Sequence, residues 1–357
     1  MSANRIAVAA ALAALAVMAN ATLAEVQWAE DPWESILERA KSERKHVYVD
    51  FYATWCGPCK QMEKVTYPDE AVSRFLGGMI PVKYDAETGA GEVLAEKYRV
   101  VAYPTLIIFD PGGEEIDRHV GYLEPEPFVE KFQGYIDGIG TVSYYKEKLA
   151  ENPDDIETLY TLGMKHVDAV RAEEAQACLA RVMELDPDDA QGRFAGITYA
   201  LGEVMYTTDR YADAKRYFEA LIARYPDSEA YESGLRRLAA TEYKLQNADA
   251  AVAAYRKVVE RHPDDPLVLN GFAWFCAQRG IGLDEALAVA LKAADLSGRD
   301  AGILDTLAEV YYARGEYDQA IEVGKEALEK DPEDTYFKNQ VEKFRKAKAD
   351  ADAQARR

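Results

Sequence analysis

Two cysteines separated by two residues, Cys56 and Cys59, are the residues of this chain whose types and spacing suggest chemistry most directly. A pair with this spacing can be half of a zinc site, a permanent structural clip, or a couple that opens and closes by exchanging electrons. A zinc site needs a second pair, and none of the four histidines is spaced to supply one. A permanent clip of so short a loop would remove only about 2 kcal/mol of unfolded-chain entropy. The spacing therefore indicates a redox couple.

The residues around the pair favour a reactive first cysteine. A helix is expected to begin directly after Cys56, which would place its sulfur near unpaired backbone N–H groups and the positive end of the helix dipole. Both effects lower the pKa of a thiol. Pro58 has no N–H group to offer the sulfurs. Cys59 lies one helical turn further along and is expected to be the shielded, resolving thiol.

One acid, Asp50, interrupts the apolar stretch before the pair. Residues 46–53 are otherwise rich in β-branched and aromatic side chains, which predicts a largely buried strand. Burial would raise the pKa of the Asp50 carboxyl group, and such a group suits proton transfer. The alternative is an acid at the strand end whose carboxylate reaches water.

Helices and strands alternate across residues 25–140, and the last two strands form a hairpin. This order predicts an α/β fold in which helices cover both faces of a sheet. The expected strands are 46–53, 80–84, 105–109 and 115–120, and the expected helices include 69–76, 91–98 and 125–136.

Four motifs follow one another in this region: Y-V-D-F-Y-A-T-W-C-G-P-C-K, then K-Y-D, Y-P-T-L-I-I-F and V-G-Y. Together they resemble the thioredoxin family over residues 30–138. The resemblance implies a central mixed sheet flanked by helices, and a redox-active Cys56–Cys59 disulfide with no metal and no other cofactor. It implies that Asp50 and Lys83 serve the resolving cysteine as a base. It also implies that Pro104 lies in a cis-proline loop that pairs with the backbone of a bound substrate. The supporting residues are Trp55, Gly57 and Pro58.

Residues 141–357 form a second region with no strand pattern and an internal repeat. Prolines followed by acidic residues recur with a period of about 34 residues. They are Pro153, Pro187, Pro226, Pro263 and Pro332. Small residues precede four of them where two helices would approach closely: Ala175, Ala214, Ala251 and Ala320. The stretch G-E-Y-D-Q-A-I-E at 315–322 resembles the tetratricopeptide repeat family. The resemblance implies an all-α solenoid of about five repeats plus a C-terminal helix, which binds a protein or a peptide.

The remaining cysteines and several tyrosines of the second region have simpler interpretations. Cys178 and Cys276 stand alone in apolar helical surroundings, and we expect both to be small core residues. Four tyrosines are candidate groove aromatics, although core packing is the more common role: Tyr160, Tyr199, Tyr206 and Tyr243.

The net charge and the N-terminal segment indicate which partners and which cellular compartment to expect. A formal net charge of −21 makes nucleic acid a poor partner. Residues 1–24 combine Arg5, an apolar run and small residues, which predicts a cleavable signal peptide; an uncleaved membrane anchor is the alternative. The predicted parts are thus a signal peptide (1–24), a thioredoxin-like domain (25–140) and a repeat domain (141–357). The expected location is periplasmic or secreted.

These features predict an exported thiol–disulfide oxidoreductase. It would reduce or isomerise disulfides of protein clients that the repeat domain holds, and a membrane thiol donor would supply its electrons. The Gly57-Pro58 dipeptide resembles that of reducing thioredoxins. Two alternatives remain open: an assembly scaffold or holdase in which redox activity is secondary, and an oxidising folding catalyst.

Overall fold

The computed structural model describes residues 25–355. The predicted signal peptide, 1–24, lies outside the described residues. The chain divides into two compact units, of which the first ends at Asp188 and the second begins at Asp189. The first unit therefore contains an α/β fold and also the first helices of the repeat region. The boundary predicted at residues 140 and 141 stays a prediction about sequence domains.

A mixed sheet of four strands forms the centre of the first unit. The strands are β1 (Val47–Tyr52), β2 (Ile80–Asp85), β3 (Thr105–Phe109) and β4 (Glu115–Val120). Their order is β2-β1-β3-β4, with β1 parallel to β2 and all other pairs antiparallel. In this register Asp50 lies beside Lys83 on one side and Leu106 on the other. The sheet therefore brings together an acid and a base that are far apart in the sequence.

Within the described part of the chain, five helices flank this sheet: α1 (Trp33–Glu43), α2 (Gly57–Gln61), α3 (Glu70–Gly77), α4 (Gly89–Lys97) and α5 (Pro125–Ile136). A π-helical turn, Met62–Thr66, follows α2 directly, and the N–H group of Tyr67 bonds to the carbonyl of Met62. The sequence pattern predicts one continuous helix here, because a single i→i+5 turn leaves almost no trace in hydrophobic periodicity.

Side chains alternate between the two faces of β1, so the strand contributes to two cores. The first core contains Trp33, Ile36, Val47, Val49, Phe51 and Leu94. The second core contains Tyr48, Met62, Leu76, Leu106, Phe128 and Phe132. Asp50 follows the alternation onto the second face, opposite Leu106. A nearly inaccessible carboxylate thus lies within an otherwise apolar layer.

Among residues 25–188, three further helices belong to the first unit: α6 (Val142–Glu151), α7 (Ile156–Asp168) and α8 (Ala172–Leu185). They are attached to the sheet through Asp117 of β4. One oxygen of Asp117 accepts a hydrogen bond from the N–H group of Val142 at 2.8 Å. The other accepts bonds from the Arg118 N–H group and from Nζ of Lys165, each at 2.8 Å. Lys165 also donates to the hydroxyl of Tyr135 at 3.1 Å, so a buried polar cluster joins β4 to α7.

The described residues of the second unit form helices joined by short turns and loops, with no strand. Its helices are α9 (Phe194–Thr207), α10 (Tyr211–Arg224), α11 (Ala230–Lys244), α12 (Ala248–Arg261), α13 (Pro266–Ala277), α14 (Leu283–Leu296), α15 (Ala301–Ala313), α16 (Tyr317–Lys330) and α17 (Thr335–Ala355). Consecutive helices pair closely: a Cβ atom added at Gly202 of α9 would lie 2.5 Å from the ring of Phe218 in α10. The predicted fold class, an α/β sheet domain plus an all-α repeat array, is confirmed.

Candidate active site

The two cysteines lie at the start of α2 and are joined by a disulfide bond. Strand β1 leads into this position through Ala53, whose carbonyl accepts a hydrogen bond from the N–H group of Cys56 at 3.1 Å. Cys56 is the N-cap residue of α2, and its sulfur accepts a hydrogen bond from the Cys59 N–H group at 3.1 Å. Both cysteines are almost buried, with 2% and 4% of their surface exposed.

The helix start gives the Cys56 sulfur an electrostatic environment that favours the thiolate. Unpaired N–H groups and the positive end of the peptide dipoles point toward an N-cap residue. Pro58 occupies the first turn and contributes no N–H group, so the donor from Cys59 is the one that reaches the sulfur. A sulfur at a helix start of this kind is stabilised as a thiolate when a disulfide opens.

An aromatic rim borders the disulfide. Trp55 is 66% exposed, and its indole N–H group donates to a carboxylate oxygen of Glu87 at 2.9 Å. Its ring lies 5.9 Å from the ring of Tyr103, which packs against the two cysteines. The peptide bond between Tyr103 and Pro104 is cis, and the carbonyl of Pro104 accepts a bond from the Gly121 N–H group at 2.8 Å. An exposed indole beside a buried disulfide offers a contact surface for an approaching polypeptide.

Asp50 lies beneath this region and is only 1% exposed. Its Oδ2 atom accepts a hydrogen bond from the Tyr67 hydroxyl at 2.7 Å and lies 3.8 Å from Nζ of Lys83. Its Oδ1 atom has no hydrogen-bond partner among residues 25–355. Burial raises the pKa of the Asp50 carboxyl group, against the lowering effects of Lys83 and of the Tyr67 hydrogen bond. The strand-end alternative, a carboxylate that reaches water, is therefore wrong.

Lys83 is held by one more acid and by aromatic rings. Its Nζ atom forms an ion pair with Glu63 of the π-helical turn and lies 4.7 Å from the ring centroid of Tyr52. Burial lowers the pKa of Lys83, and the nearby Asp50 raises it. The ammonium group therefore lies between a buried and an exposed carboxylate.

The sequence pattern did not identify Tyr67 and Tyr48 as parts of this site. Tyr67 donates its single hydroxyl proton to Asp50, so the 3.0 Å contact between the two hydroxyls must be a bond donated by Tyr48. A directed chain thus runs from Tyr48 through Tyr67 to Asp50. Because the chain has 23 tyrosines, the residue type alone does not mark Tyr67 as part of a site. Its position depends on the π-helical turn that it follows directly.

The structure brings the predicted residues into two adjoining groups. The first group contains Cys56, Cys59 and Trp55, which lie around Tyr103 of the cis-proline loop. The second group is the ion pair of Asp50 with Lys83. In the described part of the chain, neither cysteine hydrogen-bonds to Asp50.

The other two cysteines are unsuited to the same chemistry. Cys276 is fully buried, and burial raises the pKa of its thiol to about 12. Cys178 is half-buried, and burial raises the pKa of that thiol as well. A thiol with a raised pKa is a poor nucleophile at neutral pH, so both fit the predicted role of small packing residues.

Family profiles match the two regions separately. A profile of the thioredoxin-like domain matches residues 33–135. Profiles of the tetratricopeptide repeat match residues 199–228, 234–265 and 301–334. The chain contains a thioredoxin-like domain followed by tetratricopeptide repeats.

Comparison with known proteins gives partial matches to each region. The thioredoxin-like domain is 35% identical, over 92 residues, to the thiol:disulfide interchange protein DsbD of Actinobacillus pleuropneumoniae. This match covers 25% of the chain, and the chain spans only 16% of the length of that relative. A solved thioredoxin from Thermus thermophilus is 26% identical over 30% of this chain and 85% of its own, with a TM-score of 0.28. YrrB, described as a TPR protein with an unusual peptide-binding site, is 20% identical over 57% of this chain and 99% of its own, with a TM-score of 0.41.

Residues 25–355 contain neither a candidate metal site nor a candidate membrane-spanning helix. No group of three or more His, Cys, Asp or Glu side chains that could hold a metal ion was found there. Within the same residues, no helix combines the length and the apolar character needed to cross a bilayer.

Proposed function

We propose that the protein is an exported thiol–disulfide oxidoreductase that reduces or isomerises disulfides in client proteins. The observation that carries the proposal is the Cys56–Cys59 disulfide at the start of α2, bordered by the Tyr103–Pro104 loop. The thioredoxin-like profile and the similarity to a thiol:disulfide interchange protein support the same class of chemistry. Export rests on the residue pattern of segment 1–24.

The first chemical step begins from the reduced protein. The thiolate of Cys56 attacks one sulfur of a client disulfide, the client S–S bond breaks, and one client sulfur leaves as a thiolate. The product is a mixed disulfide between Cys56 and the client. The helix start stabilises the attacking thiolate, and the exposed ring of Trp55 lies where the client polypeptide must approach.

The second step resolves the mixed disulfide. The thiol of Cys59 transfers its proton to Asp50 and attacks the sulfur of Cys56, which releases the second client thiolate. We assign the proton to Oδ1 of Asp50, because Oδ2 is already bonded to Tyr67. Transfer can occur directly or through one water molecule. The raised pKa of Asp50 brings this base closer to the pKa of a thiol, which makes the transfer less uphill.

The cycle ends with an oxidised Cys56–Cys59 pair and a client that carries two thiols. Two electrons have moved from the protein to the client, so a further thiol donor must restore the reduced pair before the next turn. We propose that a membrane thiol protein supplies them, because an oxidising compartment holds no comparable soluble pool. The repeats raise the local concentration of client around Cys56.

Reduction of insulin disulfides, driven by dithiothreitol, tests the proposed chemistry. The wild-type chain should accelerate precipitation of the insulin B chain, and Cys56→Ser should abolish the acceleration. After removal of dithiothreitol, the reduced Cys59→Ser variant should carry out the first step and accumulate a mixed disulfide with insulin that is visible on a non-reducing gel. Wild-type acceleration by Cys56→Ser would contradict the proposal.

A scaffold or holdase is the second candidate, and the helical repeats favour it. In that case the repeats bind the partner and the disulfide is dispensable. Complementation of a deletion strain separates the two functions, since a scaffold keeps its cellular role in the Cys56→Ser variant and an oxidoreductase loses it.

A further inference from the structure

The second unit contains a cavity that the redox chemistry does not use. It has a volume of about 300 Å³ and lies between α9, α11, α12 and α13. We call it the arginine cavity, because three guanidinium groups and three aromatic rings dominate its wall. These residues are Arg236, Arg237, Arg279, Tyr199, Tyr255 and Phe275.

Aromatic rings hold two of these arginines in place. The guanidinium carbon of Arg279 lies 4.2 Å from the ring centroid of Phe275 and 5.4 Å from that of Tyr243. The same carbon of Arg237 lies 5.5 Å from the ring of Tyr206. Such cation–π contacts orient the planar donor groups before a ligand arrives, so less side-chain entropy is lost on binding.

The positive charge of this cavity is only partly neutralised. Arg237 pairs with Glu203 at 2.8 Å, whereas the nearest paired carboxylate of Arg236, that of Glu232, is 3.8 Å away. No carboxylate within residues 25–355 pairs with Arg279. Its Nη1 atom donates to the carbonyl of Phe275, and its buried Nε atom has no hydrogen-bond partner among the described residues. A buried donor without an acceptor is costly, so the site favours an incoming anion.

The chemistry of the wall selects the kind of anion. Guanidinium groups bind carboxylates through paired N–H donors, and aromatic rings add contact area for the polypeptide around them. A net charge of −21 repels a long polyanion such as a nucleic-acid backbone, whereas a short peptide segment brings only a few carboxylates to the guanidinium groups. A cavity of about 300 Å³ accommodates a side chain rather than a folded domain.

We propose that the arginine cavity binds the side-chain carboxylates of an extended, acidic peptide segment in a partner protein. The inference rests on the proposed function in one respect, namely that this partner is a redox client. Tyr199 lines the cavity, and Tyr206 and Tyr243 lie against the guanidinium groups of Arg237 and Arg279. Binding here would hold a client by an acidic segment while its disulfide reacts elsewhere.

Competitive capture of two peptide libraries tests this inference. The immobilised full chain carries Cys56→Ser, so that thiol exchange cannot contribute. One library contains acetylated, amidated ten-residue peptides with four glutamates at random positions, and the other has glutamine in their place. Mass spectrometry should show at least about tenfold enrichment of the glutamate library, as expected for charge-assisted hydrogen bonds to arginine.

Matched arginine variants locate the binding. Arg279→Gln, and independently Arg236→Gln, should abolish the enrichment while circular dichroism shows the same helical content. Arg256→Gln is the control, because Arg256 pairs with Glu285 through two 2.7 Å bonds and does not line the cavity. Equal capture of the two libraries, or enrichment that survives both cavity variants, would overturn the inference. Insulin reduction by the wild-type chain is scored separately, so failure of peptide binding and failure of the redox proposal are distinguishable.

Discussion

Asp50 in β1 and Asp117 in β4 are both buried in the same four-stranded sheet, yet the structure satisfies them very differently. Both oxygens of Asp117 accept hydrogen bonds, from two backbone N–H groups and from Lys165. Only one oxygen of Asp50 accepts a hydrogen bond among the described residues, and Lys83 lies 3.8 Å from it. A fully bonded buried carboxylate stabilises a fold, whereas one with an open oxygen can accept a proton.

Location reinforces this difference. Asp50 lies in the strand β1, six residues before Cys56 of the disulfide. Asp117 lies where β4 meets α6 and α7, and its bonds attach the first repeat helices to the sheet. Substitution at Asp117 should therefore change stability, and substitution at Asp50 should change chemistry.

The largest expected effect is on stability. Asp117→Asn should lower the free energy of unfolding of the first unit by about 3 kcal/mol, because Lys165 keeps its charge and loses a buried partner. Urea unfolding followed by the fluorescence of Trp28, Trp33 and Trp55 measures the change. Insulin reduction by the folded variant should match the wild type. An Asp117→Asn variant with wild-type stability, or a folded variant that does not reduce insulin, would contradict the proposed difference between Asp117 and Asp50.

Asp50→Asn should instead slow the reaction without lowering the stability of the fold. Resolution of the mixed disulfide should slow by about 10²-fold, the size of a lost general base. Because the folded-state pKa of Asp50 is raised, the wild type loses stability as the pH rises through that pKa. The variant should therefore be more stable than the wild type at pH 8, with a smaller gain at pH 5. Rapid-quench kinetics and urea unfolding at both pH values provide the test; a wild-type resolution rate would disprove the role of Asp50.

Asp168, at the end of α7, is a third acid, and it interacts with Asp117 and Lys165. Burial raises the pKa of Asp168 to about 6, against the lowering effects of Lys165 and Arg118. The folded state then loses stability as the pH rises from about 4 to about 6. Asp168→Asn should gain about 2 kcal/mol of stability at pH 7 and nothing at pH 4. Thermal unfolding across this range measures the difference, and a gain that does not vary with pH would contradict the assignment.

Tyr67→Phe should have the smallest effect and the most specific one. It removes the hydrogen bond that lowers the pKa of Asp50, so the pH midpoint of the resolving step should move upward. The rate at pH 7 should fall by about tenfold or less. Tyr48→Phe is the matched control, since its hydroxyl contacts Tyr67 rather than Asp50, and its shift should be smaller. A larger shift for Tyr48→Phe would rule out the proposed direction of the hydrogen-bond chain.

The sequence predicted those parts of the site that depend on local patterns. Strands 105–109 and 115–120 have the predicted bounds, because turn residues and β-branched runs mark their ends. The pairing of Asp50 with Lys83 follows from the family resemblance and appears in the register of β1 and β2. Local pattern and family motif thus sufficed for the sheet and its charged pair.

Contacts across long sequence separations could not be predicted in this way. Lys165 reaches Asp117 from a helix 48 residues further along the chain, and no spacing rule connects them. Tyr67 reaches Asp50 only because a π-helical turn shifts the register after α2. Arg279 joins the other arginines only when successive helix pairs stack. In each case tertiary packing, rather than residue type, creates the site.

The reduction potential of the Cys56–Cys59 couple is the most direct test of the proposed reducing function. The full chain would be equilibrated against dithiothreitol or glutathione buffers, and the fraction of disulfide read by thiol alkylation and mass spectrometry. The proposed function predicts a potential at or below about −230 mV. A value between about −120 and −180 mV would contradict the reducing function, because a couple in that range acts as an oxidase or an isomerase.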